Sequence, residues 1–155
     1  PAFSLGEITL KAKVKPVNGY FGLINIMRGT TRKEILTFTP AYKPLLRLDL
    51  PQGNTFETPP LVTVEVPVSI TNLGNGKTAI TTDIYDNPNE WNIVVPGHVL
   101  LDVNEQTTIA VQITAPANFS GNYLFSLEFT PSYYSDPTLV GESNLLTFLA
   151  YYHPA

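Results

Sequence analysis

The chain has 155 residues, 43% hydrophobic and only 14% charged, with no cysteine, one methionine and a net charge of −4. That length suits one domain, or one domain with a short appended element. The charged share lies well below the about 25% of an ordinary soluble domain. The lack of cysteine excludes a disulfide framework, a thiolate metal site and a cysteine nucleophile together.

Alternation with a period of two dominates the sequence, and no segment carries a helical stripe. Residues 7–15, EITLKAKVK, set Ile8, Leu10, Ala12 and Val14 on one face and Thr9, Lys11, Lys13 and Lys15 on the other. Lysine at this spacing guards an exposed strand edge. A strand over 20–27, YFGLINIM, follows the hairpin signal Asn18-Gly19. EILTFT (34–39) and LLRLDL (45–50) come next, bounded by Pro40, Pro44 and Pro51. The Pro/Gly/Thr-rich stretch 51–60 reads as a long loop. VTVEVPVSIT (62–71) then runs into Asn72-Leu73-Gly74-Asn75-Gly76, whose glycines suit a tight turn with positive φ. KTAITTDIY (77–85), WNIVV (91–95), TTIAVQIT (107–114), NYLFSLEFT (122–130) and NLLTFLAYY (144–152) complete the series at even spacing. Nine or ten short strands separated by turn signals predict an all-β sandwich, with helix under about 10% of the chain. The expected organisation is an extended N-terminal strand over 1–16 and a sandwich over 17–155.

Charge is unevenly placed. Residues 1–50 hold eight of the nine basic side chains against three acids, a net of +5, while residues 51–155 hold Lys77 against ten acids, a net of −9. An acidic remainder of this size repels phosphate and argues against a nucleic-acid partner. Two solvated faces of different sign explain the pattern equally well as a polar subunit whose basic end meets the acidic body of its neighbour. No stretch nears the about 18 consecutive apolar residues of a membrane span, and Pro1 reads as a processed mature terminus.

Residues 62–130 resemble the secreted immunoglobulin-like modules of bacteria and archaea that accompany surface glycosidases and occur in cell-surface proteins. The resemblance rests on VPVSITNLGNGKTAITTDI, Glu90-Trp91 before a strand, VLLDVNEQTTIAVQITAP and GNYLFSLEF, in that order; Glu90 stands where the family has glycine. It implies an immunoglobulin-like fold and is nearly silent on function. Residues 1–60 and 131–155 lie outside it. Their organisation is similar to that of archaeal extracellular filament subunits, in which an alternating strand of one subunit completes the sandwich of the next.

Motifs for catalysis do not assemble. His98 and His153 have no metal ligand at the usual spacing. Gly76-Lys77-Thr78 resembles the end of a phosphate loop, but Thr71 replaces the required first glycine and Lys77 opens a strand. No Gly-x-Ser-x-Gly elbow is present. The segment from Asp83 to Glu90 gathers oxygen ligands of the kind calcium prefers, though Asp and Asn are also ordinary turn residues. The eight tyrosines suit a half-buried sandwich layer, interface anchors or a sugar-stacking platform. The sequon Asn118-Phe119-Ser120 follows Pro116 and marks Asn118 as a candidate glycosylation site.

The expectation is therefore a non-enzymatic structural subunit of an extracellular, cell-surface filament, without cofactor, whose partners are copies of itself. Phe3, Leu5, Ile8, Leu10, Ala12 and Val14 would fill pockets of a neighbour while the main chain extends a sheet, and an open head-to-tail contact of this kind makes fibres. The alternatives are a non-catalytic accessory or adhesion module that binds glycan or acts as a spacer, and a virion shell or decoration protein. In the bland case the first strand simply pairs within its own sandwich.

Overall fold

The computed structural model describes residues 6–13, 31–38 and 41–155. Among them there is no helix, hence none long and apolar enough to cross a membrane, and the twelve strands fall into two compact units that divide between Ala41 and Tyr42.

The first unit contains β1 (Gly6–Lys13) and β2 (Thr31–Phe38), antiparallel and in unbroken register from Gly6↔Phe38 to Lys13↔Thr31. The predicted strand over 34–39 is thus the partner of β1 and belongs to neither sandwich sheet. The predicted strand over 20–27 and the boundary at 16/17 lie outside the described residues.

The second unit is a two-sheet sandwich of ten strands. One sheet has the order β3 (Leu46–Asp49), β5 (Thr63–Asn72), β9 (Gln106–Thr114), β7 (Asn92–Val94). The other runs β4 (Thr55–Glu57), β12 (Asn144–Tyr152), β10 (Gly121–Tyr133), β6 (Thr78–Asp86), β8 (His98–Leu101), with β11 (Asp136–Val140) also on β10. Every pairing is antiparallel except β4 with β12. Within 51–60, read as loop, Thr55–Glu57 therefore supplies a short parallel edge strand.

The alternation does what period two requires. Val66, Val68 and Ile70 of β5 face Ile109, Val111 and Ile113 of β9 in one buried layer, against Ile80, Tyr123, Phe125, Leu127, Phe129 and Phe148 from the other sheet. Each such side chain contributes roughly 1.5–3 kcal/mol of apolar burial. Intervening residues point out and pair across strands: the hydroxyls of Thr63 and Thr114 at 2.8 Å, the Gln112 amide donating to the Glu65 carboxylate at 3.0 Å, and the hydroxyls of Ser69 and Thr108 at 2.9 Å. Of these six side chains only Glu65 is charged, in keeping with the low charge of the sequence.

Prolines mark where ladders change partner. Pro67 lies beyond β3, which covers only Ser69–Asn72 of β5, so a missing N–H there is tolerated. Pro131 sits where β10 leaves β12 at Phe129↔Asn144 and takes up β11 at Ser132↔Val140, and its carbonyl accepts from Gly141 N at 2.8 Å. A Cβ on Gly141 would fall inside van der Waals contact of the Pro44 ring and 3.0 Å from Pro131 Cγ. Gly141→Ala is therefore expected to lower stability by about 1–3 kcal/mol, read as a shift in the denaturant midpoint of the full chain.

The turn after β5 corrects a sequence reading. Among the described glycines only Gly53 and Gly121 have positive φ, so Gly74 and Gly76 are there for close approach. A Cβ on Gly74 would lie 2.7 Å from Lys43 O, and one on Gly76 would lie 3.0 Å from the Tyr42 ring.

Candidate functional site

β1 holds three of the six residues named for strand addition. Ile8, Leu10 and Ala12 stand opposite Leu36, Glu34 and Arg32 of β2, whereas Phe3, Leu5 and Val14 lie outside the described residues. Asn118 is exposed in the turn between β9 and β10, which closes through Phe119 N donating to Pro116 O at 3.1 Å.

The polar segment 83–90 serves a structural purpose. Asn87 Oδ1 accepts from Trp91 N at 3.1 Å and from the Tyr123 hydroxyl, Asn87 Nδ2 donates to Trp91 O at 2.9 Å, and Asn89 N donates to the Tyr123 oxygen at 3.0 Å. Trp91 stacks on Tyr123 with centroids 3.9 Å apart and meets Phe119 edge-on at 4.4 Å. This plug fixes the crossing from β6 to β7. Among the described residues no group of three His, Asp or Glu converges on a point where a metal ion would sit. His98 is exposed at the start of β8, and His153 stacks on Tyr151.

The tyrosines divide by place. Tyr42 stacks on Tyr133 at 4.9 Å and pairs with Thr78 Oγ1 at 2.8 Å; burial pushes its hydroxyl pKa above the ordinary value. Tyr85 and Tyr134 are exposed, and Lys77 Nζ lies 4.5 Å over the Tyr134 ring.

What the sequence could not reveal is which sheet edges stay open. β7 pairs with β9 only from Asn92↔Thr114 to Val94↔Gln112, after which the chain crosses at Val95-Pro96-Gly97 and pairs with β6 as β8. One flanking strand is thereby shared between two sheets, and Gln106–Val111 of β9 pair with β5 alone among the described strands.

The division into units also sharpens the charge pattern. Residues 3–41 carry six basic and two acidic side chains, net +4, and residues 42–155 carry three basic and eleven acidic, net −8. Asp83 and Glu128 sit directly opposite each other on β6 and β10, a like-charge pairing that costs a sheet stability.

No family model matches this sequence, and no curated protein matches it. Among solved structures, the chain is similar to the ASH/PapD-like domain 7 of human CEP192, with a TM-score of 0.55 at 11% identity over 71% of this chain and 86% of that one. The sandwich is immunoglobulin-like. Looser similarity extends to WR4, an MSP family member of C. elegans (TM-score 0.46, 10% identity, 68% of this chain and 96% of that one). The chaperone YadV aligns at the same level (TM-score 0.46, 14% identity, 70% and 51%). The immunoglobulin-like sandwich expected from 62–130 is therefore present, and it takes in β3, β4, β11 and β12 besides.

Proposed function

We propose that this chain is a structural subunit of an extracellular filament, assembling head to tail as β1 of one copy adds to a sheet edge of the next. The observation that carries the reading is that the ten-strand sandwich is built without β1. β1 pairs with β2 alone among the described strands, and on this reading its other edge is the one that joins the neighbouring copy. Opposite net charges on the two units favour contacts between copies. On this reading the chain is not an enzyme, takes no cofactor or nucleic acid, and works outside the cell.

The test compares the full chain with a truncation lacking residues 1–16, by negative-stain microscopy and size-exclusion chromatography. Fibres are expected from the full chain, and a folded monomer from the truncation, whose sandwich keeps all its strands. Two monomers of equal stability would sink the filament reading, as would a truncation that unfolds. The second reading is a non-catalytic module that binds glycan, favoured by the exposed rings of Tyr85 and Tyr134. It predicts a monomer with or without residues 1–16, and retention on immobilised polysaccharide that weakens in Tyr85→Ala or Tyr134→Ala.

A further inference from the structure

We infer that the acceptor for β1 is the open edge of β9, residues Gln106–Val111, on a second copy; this rests on the filament reading above. The first ground is elimination among the edges. β12 is in place between β4 and β10, so the sandwich has no groove left by a missing final strand. β3 is four residues long and displays the Arg47–Asp49 ion pair at 3.0 Å. Beyond β3, the free stretch of β5 contains Pro67, which has no N–H. β4 has three residues, β8 four and β11 five with Pro137 among them, and the stretches of β12, β10 and β6 beyond β4, β6 and β8 (Asn144–Phe148, Gly121–Phe125 and Asp83–Asp86) are five residues or fewer. On β9, six consecutive residues containing no proline lack a strand, among the described ones, on the side away from β5. At about 3.4 Å per residue this edge is roughly 20 Å long, within the reach of the eight residues of β1.

The second ground is the apolar rim beside that edge. β9 turns Ile109 and Val111 into the core and Thr108 and Ala110 outward. Where the chain switches sheets, Val95 and Val99 pack on the core yet remain only partly buried. A strand laid along β9 follows the same pleat, so its alternate residues cover this rim. Ile8, Leu10 and Ala12 have the required spacing, and the interleaved Thr9, Lys11 and Lys13 then face outward. Charge completes the fit: Asp102 and Glu105 stand just before Gln106, on a sandwich of net −8, and the incoming unit carries +4.

The natural sequence has no cysteine, so a disulfide trap has no background. Double variants join Thr9→Cys or Lys11→Cys with Thr108→Cys or Ala110→Cys, all at positions that face outward in this arrangement. Cross-strand neighbours fall within the about 4.4–6.8 Å Cα separation a disulfide needs. Arg47→Cys in place of the β9 cysteine is the control on a different edge. Oxidised fibres are expected to give a ladder of covalent multimers on a non-reducing gel with a β9 cysteine and none with Cys at position 47. Fibres without a ladder, or an equal ladder from the control, overturn β9 as acceptor and leave strand addition standing. A crosslink confined to the monomer places β1 on its own sandwich and overturns both. Absence of fibres from the unsubstituted chain removes the filament reading itself.

Discussion

Replacing Asn72 by alanine is expected to cost about 3 kcal/mol or more of folding stability, one of the two largest effects of a single substitution in the sandwich. The side chain is fully buried, and each of its hydrogen-bonding atoms is used. Nδ2 donates to Gly76 O at 2.8 Å and to Leu101 O at 3.1 Å, while Oδ1 accepts from Gly74 N at 3.0 Å. One amide thereby ties the turn after β5 to the end of β8 and so joins the two sheets. The main chain of the same residue holds the β8–β9 connection, its N donating to Glu105 O and its O accepting from Asn104 N. Alanine leaves Gly74 N without its partner, an orphaned buried group that costs roughly 1–3 kcal/mol, and takes one bond from Leu101 O, which stands opposite Thr78 in the β6–β8 ladder. Gly76 O retains the Thr78 hydroxyl at 2.9 Å. Urea unfolding of the full chain measures the loss. Asn72→Asp serves as the companion, because it keeps an acceptor for Gly74 N but sets a carboxylate against two carbonyls, and it should fall at least as far. A loss under about 1 kcal/mol for alanine would mean that water replaces the amide and that the turn stands on its backbone bonds alone.

The long strands were legible because alternation over nine or ten residues leaves little room for another reading. Thr63–Asn72, Thr78–Asp86 and Asn144–Tyr152 each fall within a residue or so of the expected spans. The elements that escaped are short. Thr55–Glu57, His98–Leu101 and Asp136–Val140 have three to five residues, too few for a period of two to rise above chance, and each exists because a longer strand beside it offers an edge. Pairing was less legible than spacing. The alternating segment of β1 was legible, but its pairing with Thr31–Phe38 joins residues separated by a long connection, and nothing local encodes that choice. The same holds for the candidate site. Apolar spacing named Ile8, Leu10 and Ala12, whereas the open stretch of β9 arises because the chain after Val94 crosses to the other sheet, a tertiary event. The one local clue to it is Pro96-Gly97, a break between two apolar runs.

Phe125→Ala is the second large expectation, at about 3–5 kcal/mol. Phe125 is fully buried on β10, opposite Phe148 of β12 and one residue beyond the end of the β6 ladder at Ser126↔Asp86. Its ring stacks on Phe148 at 5.0 Å with planes 10° apart and meets Phe56 edge-on at 6.2 Å. Loss of the ring therefore loosens β4 and β12 together with β10. The informative comparison is its neighbour Leu124, which is 57% exposed on the opposite face of the same strand. In the monomeric truncation, Leu124→Ala should stay within about 0.5 kcal/mol of the parent, so two adjacent residues differ by several kcal/mol through the pleat alone. Fibres add a second reading of the same pair. A subunit contact along the β9 edge leaves the outer face of β10 in solvent, so Leu124→Ala should assemble as the parent does. Impaired assembly with unchanged monomer stability would move the contact to that outer face and away from β9.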